Sequence, residues 1–195
     1  MASRGAVRIS GGSLRGRTID VPQSLGVRPM RTRIREALFQ IIVDWLPKAR
    51  FLDVFSGSGA IGVEAISRGA VRTTFIENNR KVAAILQRNL DALSLRALTE
   101  ILQVDPYTTP ISGGPFDVIF LDPPFPHYEP EDPHDPWELA LQLAASDHLA
   151  SDGLIGLEYP RYLRPPAPPA GCEEFLVRRY GDTSLALWRK SGAGA

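Results

Sequence analysis

The spacing of hydrophobic and polar positions along this chain follows two patterns, one typical of β-strands and one typical of α-helices. Short apolar runs predict β-strands with both faces buried, at residues 50–54, 73–76, 99–103, 116–121 and 153–157. Apolar residues recur at helical spacing over residues 61–68, 80–93 and 136–149. Strands that alternate with helices are typical of a doubly wound, mainly parallel α/β sheet.

Both ends of the chain depart from this alternation. Residues 7–10 and 17–21, with Gly11, Gly12 and Gly16 between them, predict a small hairpin. An amphipathic helix is expected from Arg31 to Trp45, ended by Pro47. Near the other end, residues 174–180 and 184–188 predict a second hairpin, turning at Gly181-Asp182, which adds an antiparallel strand.

Length and composition bound the architecture. The 195 residues suffice for one full α/β domain with a short extension. We expect a basic hairpin and helix extension over residues 1–47, the α/β domain over residues 48–190 and a frayed tail over residues 191–195. Cys172 is the only cysteine, which excludes an internal disulfide and gives no support for a metal site. Without a spanning apolar stretch or a signal peptide, we expect a cytoplasmic protein with no membrane partner.

Charge is distributed unevenly, although the formal net charge is zero. Residues 1–35 contain eight arginines and one acid, a net +7, so residues 36–195 carry −7. A basic arm on an acidic body favours binding of backbone phosphates, with a solvated terminus lacking any partner as the alternative. The arginines expected to bind nucleic acid are Arg8, Arg15, Arg17, Arg28, Arg31, Arg33 and Arg35.

A glycine turn follows the first strand of the α/β domain. Gly57, Gly59 and Gly62 match the G-x-G-x-x-G spacing, which in dinucleotide enzymes holds a pyrophosphate. Here Asp53, four residues before the first glycine, would repel a pyrophosphate and favours a cationic ligand. S-adenosyl-L-methionine has a sulfonium, an ammonium and a ribose but no phosphate, so it suits a carboxylate beside a glycine turn.

Acidic residues also end the next two strands. Glu77 is placed to accept both hydroxyls of a ribose, and Asp105 to accept the amine of an adenine against which Val104 packs. Both acids alternatively cap a loop or helix. The expected cofactor site comprises Asp53, Phe55, Gly57, Ser58, Gly59, Glu77, Asn78, Asp105 and Asp122.

The strand at residues 116–121 runs into Asp122-Pro123-Pro124-Phe125. Neither proline can donate a hydrogen bond, so the Asp122 carboxylate and the Pro123 carbonyl are acceptors followed by an aromatic face. Two acceptors can bind the N–H groups of the exocyclic amine of a base and so direct the nitrogen lone pair at a methyl donor. Phe125 is then expected to stack on the extruded base. The structural alternative is a strand end followed by a core phenylalanine.

The histidines give no further catalytic arrangement. His127, His134 and His148 are scattered in sequence, and the first two lie in the proline- and acid-rich residues 126–136. This stretch is either a flexible loop over the active site or a solvated loop without a role. We expect no metal.

At this point the chain resembles a known family, the class I methyltransferases with a D-P-P-[FY] motif, and within them the RsmD family of bacterial 16S ribosomal RNA guanine-N2 methyltransferases. The resemblance rests on the basic stretch at residues 8–17, the block at residues 28–39, the glycine turn with residues 62–70, Asp122 to Phe125, and Tyr180 to Thr183. Met30-Arg31-Thr32 and Gln40 depart from the family pattern.

The resemblance implies a Rossmann-like, seven-stranded sheet and a monomer. It also implies methylation of a guanine in 16S ribosomal RNA, within the 30S subunit or an assembly intermediate, with the arm touching RNA. The motif by itself also permits adenine N6 or cytosine N4 of DNA, or a glutamine amide, as the methyl acceptor. A nicotinamide oxidoreductase and a catalytically silent RNA-binding factor are the readings from other classes.

Overall fold

The structure is a computed structural model that describes residues 5–192; the end of the predicted tail, residues 193–195, lies outside them. The strands are β1 (Gly5–Arg8), β2 (Thr18–Val21), β3 (Arg50–Val54), β4 (Arg72–Ile76), β5 (Thr99–Leu102), β6 (Phe116–Leu121), β7 (Leu149–Pro160), β8 (Cys172–Tyr180) and β9 (Thr183–Lys190). The helices are α1 (Thr32–Ile41), α2 (Ala60–Ser67), α3 (Arg80–Ala92) and α4 (Pro136–Ala145). Over the described residues, no helix combines the length and apolarity that crossing a bilayer requires.

The main sheet has seven strands in the order β5-β4-β3-β6-β7-β9-β8. Parallel pairs join β3 to β4, β4 to β5 and β6 to β7, whereas β9 is antiparallel to both β7 and β8. The predicted Rossmann-like sheet with one antiparallel strand near the carboxyl terminus is therefore confirmed. The predicted amino-terminal hairpin is confirmed as well, because β1 and β2 pair antiparallel.

The chain divides into two compact units, Met1–Asp105 and Pro106–Ala195. In the first unit, apolar side chains of β1 and β2 share one buried cluster with those of α2 and α3. Val7, Ile19, Val63 and Leu90 belong to this cluster. The hairpin is thus part of the core of the first unit, and the domain boundary expected after residue 47 stays a prediction.

Two predicted helix ends are wrong. The helix expected to reach Leu149 ends at Ala145, because extended Ser146 bonds back to Leu143 and leaves Leu149 to begin β7. The helix expected to reach Trp45 ends at Ile41, and its last turn tightens into a 3₁₀ turn at Val43–Trp45, as is common at helix ends. Apolar periodicity shows neither event, because a buried residue recurs at helical spacing beyond each end, Leu149 after Ala145 and Ile42 after Ile41.

Candidate active site

The turn between β3 and α2 uses backbone conformations that favour glycine. Gly57 and Gly59 have φ angles of 55° and 85°. A Cβ at Gly59 would lie 2.4 Å from Leu86 Cδ1, and one at Gly62 would lie 2.2 Å from Phe75 Cε1. The glycines therefore let α2 begin directly against the sheet, with Leu86 packed on Gly59 and Phe75 on Gly62.

Asp53 lies under this turn at the end of β3. Its side chain is 1% exposed, and Oδ2 accepts a hydrogen bond of 2.9 Å from the backbone N–H of Gly62, in the first turn of α2. Burial raises the pKa of Asp53 to about 7; the charge of Glu77 adds to the rise and the Gly62 bond opposes it. Asp53 thus fastens the turn, and direct contact with a cofactor stays a prediction.

Glu77 links the end of β4 to the same turn. Its Oε2 accepts from the Gly57 N–H at 3.0 Å and its Oε1 from the Asn79 N–H at 2.8 Å. Burial raises the pKa of Glu77, and these two bonds oppose the rise. Each carboxylate oxygen keeps a second lone pair, so Glu77 can still accept from two ribose hydroxyls. Asn78 beside it is exposed, and Asp105 is half-buried.

The second unit holds Asp122 to Phe125. Asp122 follows β6 and is half-buried, and Pro123 is buried. Pro124 precedes a 3₁₀ turn over Phe125–Tyr128, closed by a bond of 2.9 Å from the His127 N–H to the Pro124 carbonyl. The Phe125 side chain is 36% exposed, which is too open for a core residue. The segment therefore presents an aromatic face to solvent directly after the acidic residue.

Two of the histidines that are scattered in sequence, His127 and His134, lie together in the structure. The rings of His127 and His134 lie 4.5 Å apart between centroids, and Tyr107 packs on both. Tyr107 Oη is 3.0 Å from His127 Nδ1, and Asp132 Oδ1 is 2.6 Å from His134 Nδ1. The loop at residues 126–136, which contains prolines between the two histidines, folds back on itself. The distance between His127 and His134 in the sequence does not predict this contact.

The same loop is anchored elsewhere in the second unit, since Tyr128 Oη donates to the Glu158 carbonyl at 2.9 Å. One potential ligand atom from each of His127, Asp132 and His134 lies within 4.8 Å of the others. The expectation of no metal stays a prediction.

Six of the seven arginines expected to bind RNA are exposed: Arg8, Arg15, Arg17, Arg28, Arg31 and Arg33. Arg35 contradicts the expectation, because its side chain is fully buried. Its Nε lies 3.4 Å from Glu64 Oε2, and its Nη2 donates to the Arg8 carbonyl at 2.8 Å. Arg35 therefore fastens the arm to α2 and cannot reach a phosphate.

Glu64 is the buried partner that sequence reasoning missed. Its carboxylate accepts from the N–H and hydroxyl of Ser10, at 2.9 and 2.7 Å, and from Arg68 Nε at 2.9 Å. Burial alone would raise the pKa of Glu64, but the bonds from Ser10 and Arg68 outweigh it and lower the pKa. The available signal was a single acid within the otherwise apolar helix α2.

Taken together, a mainly parallel seven-stranded sheet, a glycine turn held by acids at strand ends and an Asp-Pro-Pro-Phe segment define the class I S-adenosylmethionine-dependent methyltransferase architecture. Residues 7–189 match the model of the family described as "Conserved hypothetical protein 95", and the chain belongs to that family. The resemblance to the RsmD methyltransferases is thereby confirmed.

Individual relatives agree with this placement. The chain is 33% identical over 190 residues to the ribosomal RNA small subunit methyltransferase D of Escherichia coli (strain K12), which covers 97% of this chain and 93% of that protein. A solved structure of a putative methyltransferase from Escherichia coli has a TM-score of 0.81 at 31% identity, covering 96% of this chain and 99% of that one. A putative methylase from Haemophilus influenzae has a TM-score of 0.76 at 30% identity, with the same coverage.

Proposed function

We propose that this protein transfers a methyl group from S-adenosyl-L-methionine to the exocyclic N2 amine of a guanine in 16S ribosomal RNA, within the 30S subunit or an assembly intermediate. The observation that carries the proposal is the Asp122 to Phe125 segment, with a half-buried carboxylate and an exposed aromatic ring at the end of β6. Membership of a family with a relative named ribosomal RNA small subunit methyltransferase D supports ribosomal RNA as the substrate class.

The acceptor amine needs activation, because its lone pair is delocalised into the base. The Asp122 carboxylate and the Pro123 carbonyl accept its N–H groups, which favours a pyramidal nitrogen with its lone pair directed away from the ring plane. Phe125 stacks on the extruded base and fixes its orientation. As the nitrogen–methyl bond forms, the sulfur–methyl bond of the sulfonium would break and release a neutral thioether. One proton would leave the nitrogen along its hydrogen bond to Asp122 and pass to solvent.

The first unit fits the proposed cofactor. When bound, S-adenosyl-L-methionine supplies an electrophilic methyl group on a sulfonium. Asp53 and Glu77 place negative charge under and beside the glycine turn, which favours a cation and disfavours a pyrophosphate. The absence of a side chain at the half-buried Gly57 lets a ligand approach the backbone of the turn closely. Glu77 is assigned to the ribose hydroxyls and Asp105 to the adenine amine.

The six exposed arginines of the arm are assigned to RNA phosphates. Arg8, Arg15 and Arg17 sit on the hairpin of β1 and β2, which packs into the core of the first unit, so the folded structure sets their positions. Arg28, Arg31 and Arg33 lie just before α1 or in its first turn. Such contacts position the RNA and leave the choice of base to the Asp122 segment.

The test is transfer of labelled methyl from S-adenosyl-L-methionine to 30S subunits from a strain lacking this protein, followed by nucleoside analysis. Naked 16S RNA, duplex DNA and ribosomal protein are the comparison substrates. Label recovered as N2-methylguanosine from subunits is the expected result. Label only in DNA or in a glutamine amide, or none despite cofactor binding, overturns the proposal, and binding of NADH in place of the cofactor would establish an oxidoreductase.

A further inference from the structure

Two turns of the second unit are fastened together beyond the end of β7. The first is closed by a bond of 3.1 Å from the Leu163 N–H to the Pro160 carbonyl and has Arg161 and Tyr162 at its centre. The second is the Gly181-Asp182 hairpin turn between β8 and β9, with Gly181 at a φ of 65°. The Arg161 N–H donates to the Asp182 carbonyl at 2.9 Å, and Arg161 Nη1 donates to the Gly181 carbonyl at 3.1 Å.

These turns line an open pocket of about 580 Å³, formed by Arg161, Tyr162, Gly181 and Asp182. The Tyr162 side chain is 69% exposed, yet its hydroxyl donates to Glu129 Oε1 at 2.8 Å. The hydrogen bond restrains the ring without covering it. A restrained, uncovered aromatic face beside a guanidinium is the kind of surface on which single-stranded nucleic-acid bases stack.

The pocket lies at the strand edge that carries the Asp122 segment. Strands β6 and β7 run parallel with Leu121 opposite Leu157, and β7 continues to Pro160. The Arg161-Tyr162 turn therefore begins four residues beyond that level, or about 13 Å along the strand direction. Stacked nucleotides rise ~3.4 Å each, so this displacement along the strand direction corresponds to a few nucleotides of an RNA strand.

Four exposed arginines surround the pocket, against two acids at the pocket itself, Asp182 in its lining and Glu129 bonded to Tyr162. Arg161 and Arg164 are exposed after β7, and Arg178 and Arg179 are exposed on β8, immediately before the hairpin turn. The sequence motif Tyr180-Gly181-Asp182-Thr183 forms that turn and has no part in the proposed chemistry.

We infer that this pocket binds a nucleotide a few positions from the methylated one in the RNA, with its base stacked on Tyr162 and its phosphate near Arg161. The inference rests on the proposed function and adds a second RNA contact, separate from the arginine arm. It also gives the Tyr180–Thr183 turn a role as the floor of a substrate site.

Steady-state methylation of 30S subunits by Tyr162→Ala, Tyr162→Phe and Phe175→Ala tests the inference. Phe175 is a matched control, because it is also an exposed aromatic of the second unit, at 39%, on β8. Tyr162→Ala is expected to raise the KM for subunits about tenfold, with kcat and cofactor affinity unchanged. Tyr162→Phe keeps the stacking face and is expected to stay within about twofold of wild type, as is Phe175→Ala.

An unchanged KM for Tyr162→Ala overturns the subsite, as does an equal defect in Tyr162→Phe, which would assign the effect to the Glu129 bond.

Ultraviolet crosslinking of the wild-type protein to subunits, followed by peptide mass spectrometry, is the direct measurement. A nucleotide on the peptide containing Tyr162 supports the subsite, and crosslinks confined to the arm overturn it. Wild-type protein that fails to methylate subunits overturns the proposed function, whereas methylation without these Tyr162 effects rejects only the subsite.

Discussion

The glycine turn after β3 and the Asp122 segment after β6 both follow parallel strands, yet they hold their acidic groups in opposite ways. Asp53 is 1% exposed, and both Asp53 and Glu77 accept hydrogen bonds from the backbone of the turn. Asp122 is half-buried, and the ring of Phe125 is exposed. The first region is closed and braced, while the second is open to solvent.

This difference matches two kinds of ligand. A small cofactor of constant shape is bound well by a preorganised site whose side chains are locked by their neighbours. A base carried by a large RNA must be reached from solvent, so its site has to stay accessible. The predictions below test whether rigidity belongs to the first region and accessibility to the second.

The largest expected effect is on the stability of the first unit, in which Glu64 pairs with the buried Arg35. Glu64→Gln leaves Arg35 buried without a countercharge and is expected to lower the free energy of unfolding by about 3 kcal/mol, measured by urea denaturation. Glu100→Gln is the control, because its ion pair with Arg72 is about half exposed, and it is expected to cost less than about 1 kcal/mol. Equal costs for the two variants would show that the buried network does not brace this unit.

Asp122→Ala removes the acceptor carboxylate of the open region. We expect kcat for methyl transfer to fall about 10²- to 10³-fold, as when one oriented hydrogen-bonding group is removed from an active site, with the cofactor Kd within about threefold. Asp117→Ala, on the same strand, is the matched control and should keep its activity. Loss of cofactor binding together with turnover would contradict the separation of the two regions.

The pH dependence of cofactor binding tests the closed region. Burial raises the pKa of Asp53 from an ordinary 3.8 to about 7. The contribution of the protonated side chain to the free energy of unfolding is therefore complete below pH 3.8 and is lost as the pH rises through 7. A cationic ligand prefers the ionised form, so affinity should rise about tenfold between pH 6 and pH 8. Calorimetry on wild type and Asp53→Asn measures this rise. A rise of the same size in Asp53→Asn would have to come from another group, such as Glu77, and would contradict the role of Asp53.

The smallest effect concerns the exposed arginines. Arg33→Ala is expected to make the slope of log affinity for RNA against log salt concentration shallower by about 0.7 to 0.9, the contribution of one phosphate contact. Arg96→Ala removes an exposed charge outside the arm, one that pairs with Asp91, and should leave the slope unchanged. Filter binding over a range of salt concentrations measures both. The same change in both variants would assign the effect to overall charge.

Much of the fold was predictable because strands buried on both faces have continuous apolar runs. The runs at residues 50–54 and 116–121 coincide with β3 and β6, and the turn residues Gly181-Asp182 join β8 to β9 as expected. The helix ends at Ala145 and Ile41 were missed, because Leu149 and Ile42 keep the apolar spacing of a helix although local hydrogen bonds have already ended each helix.

The candidate site was predictable only where its chemistry lies in adjacent residues. Asp53 with the glycine turn, and Asp122 with Pro123 and Phe125, are contiguous in sequence and show their chemistry without a structure. Composition alone assigned Arg35 to RNA, because charge in a sequence carries no information on burial. Its partner Glu64 is 29 residues away, and only folding brings the two together.

The sequence by itself determined the order of strands and helices, the acid-bearing glycine turn and the Asp-Pro-Pro-Phe segment, since each depends on neighbouring residues. The tertiary structure alone decided which arginines face solvent, that His127 and His134 stack, and that Tyr162 lines a pocket with Gly181. The physical reason is that burial and contact depend on residues distant in sequence, whose approach is set by the packing of the whole unit.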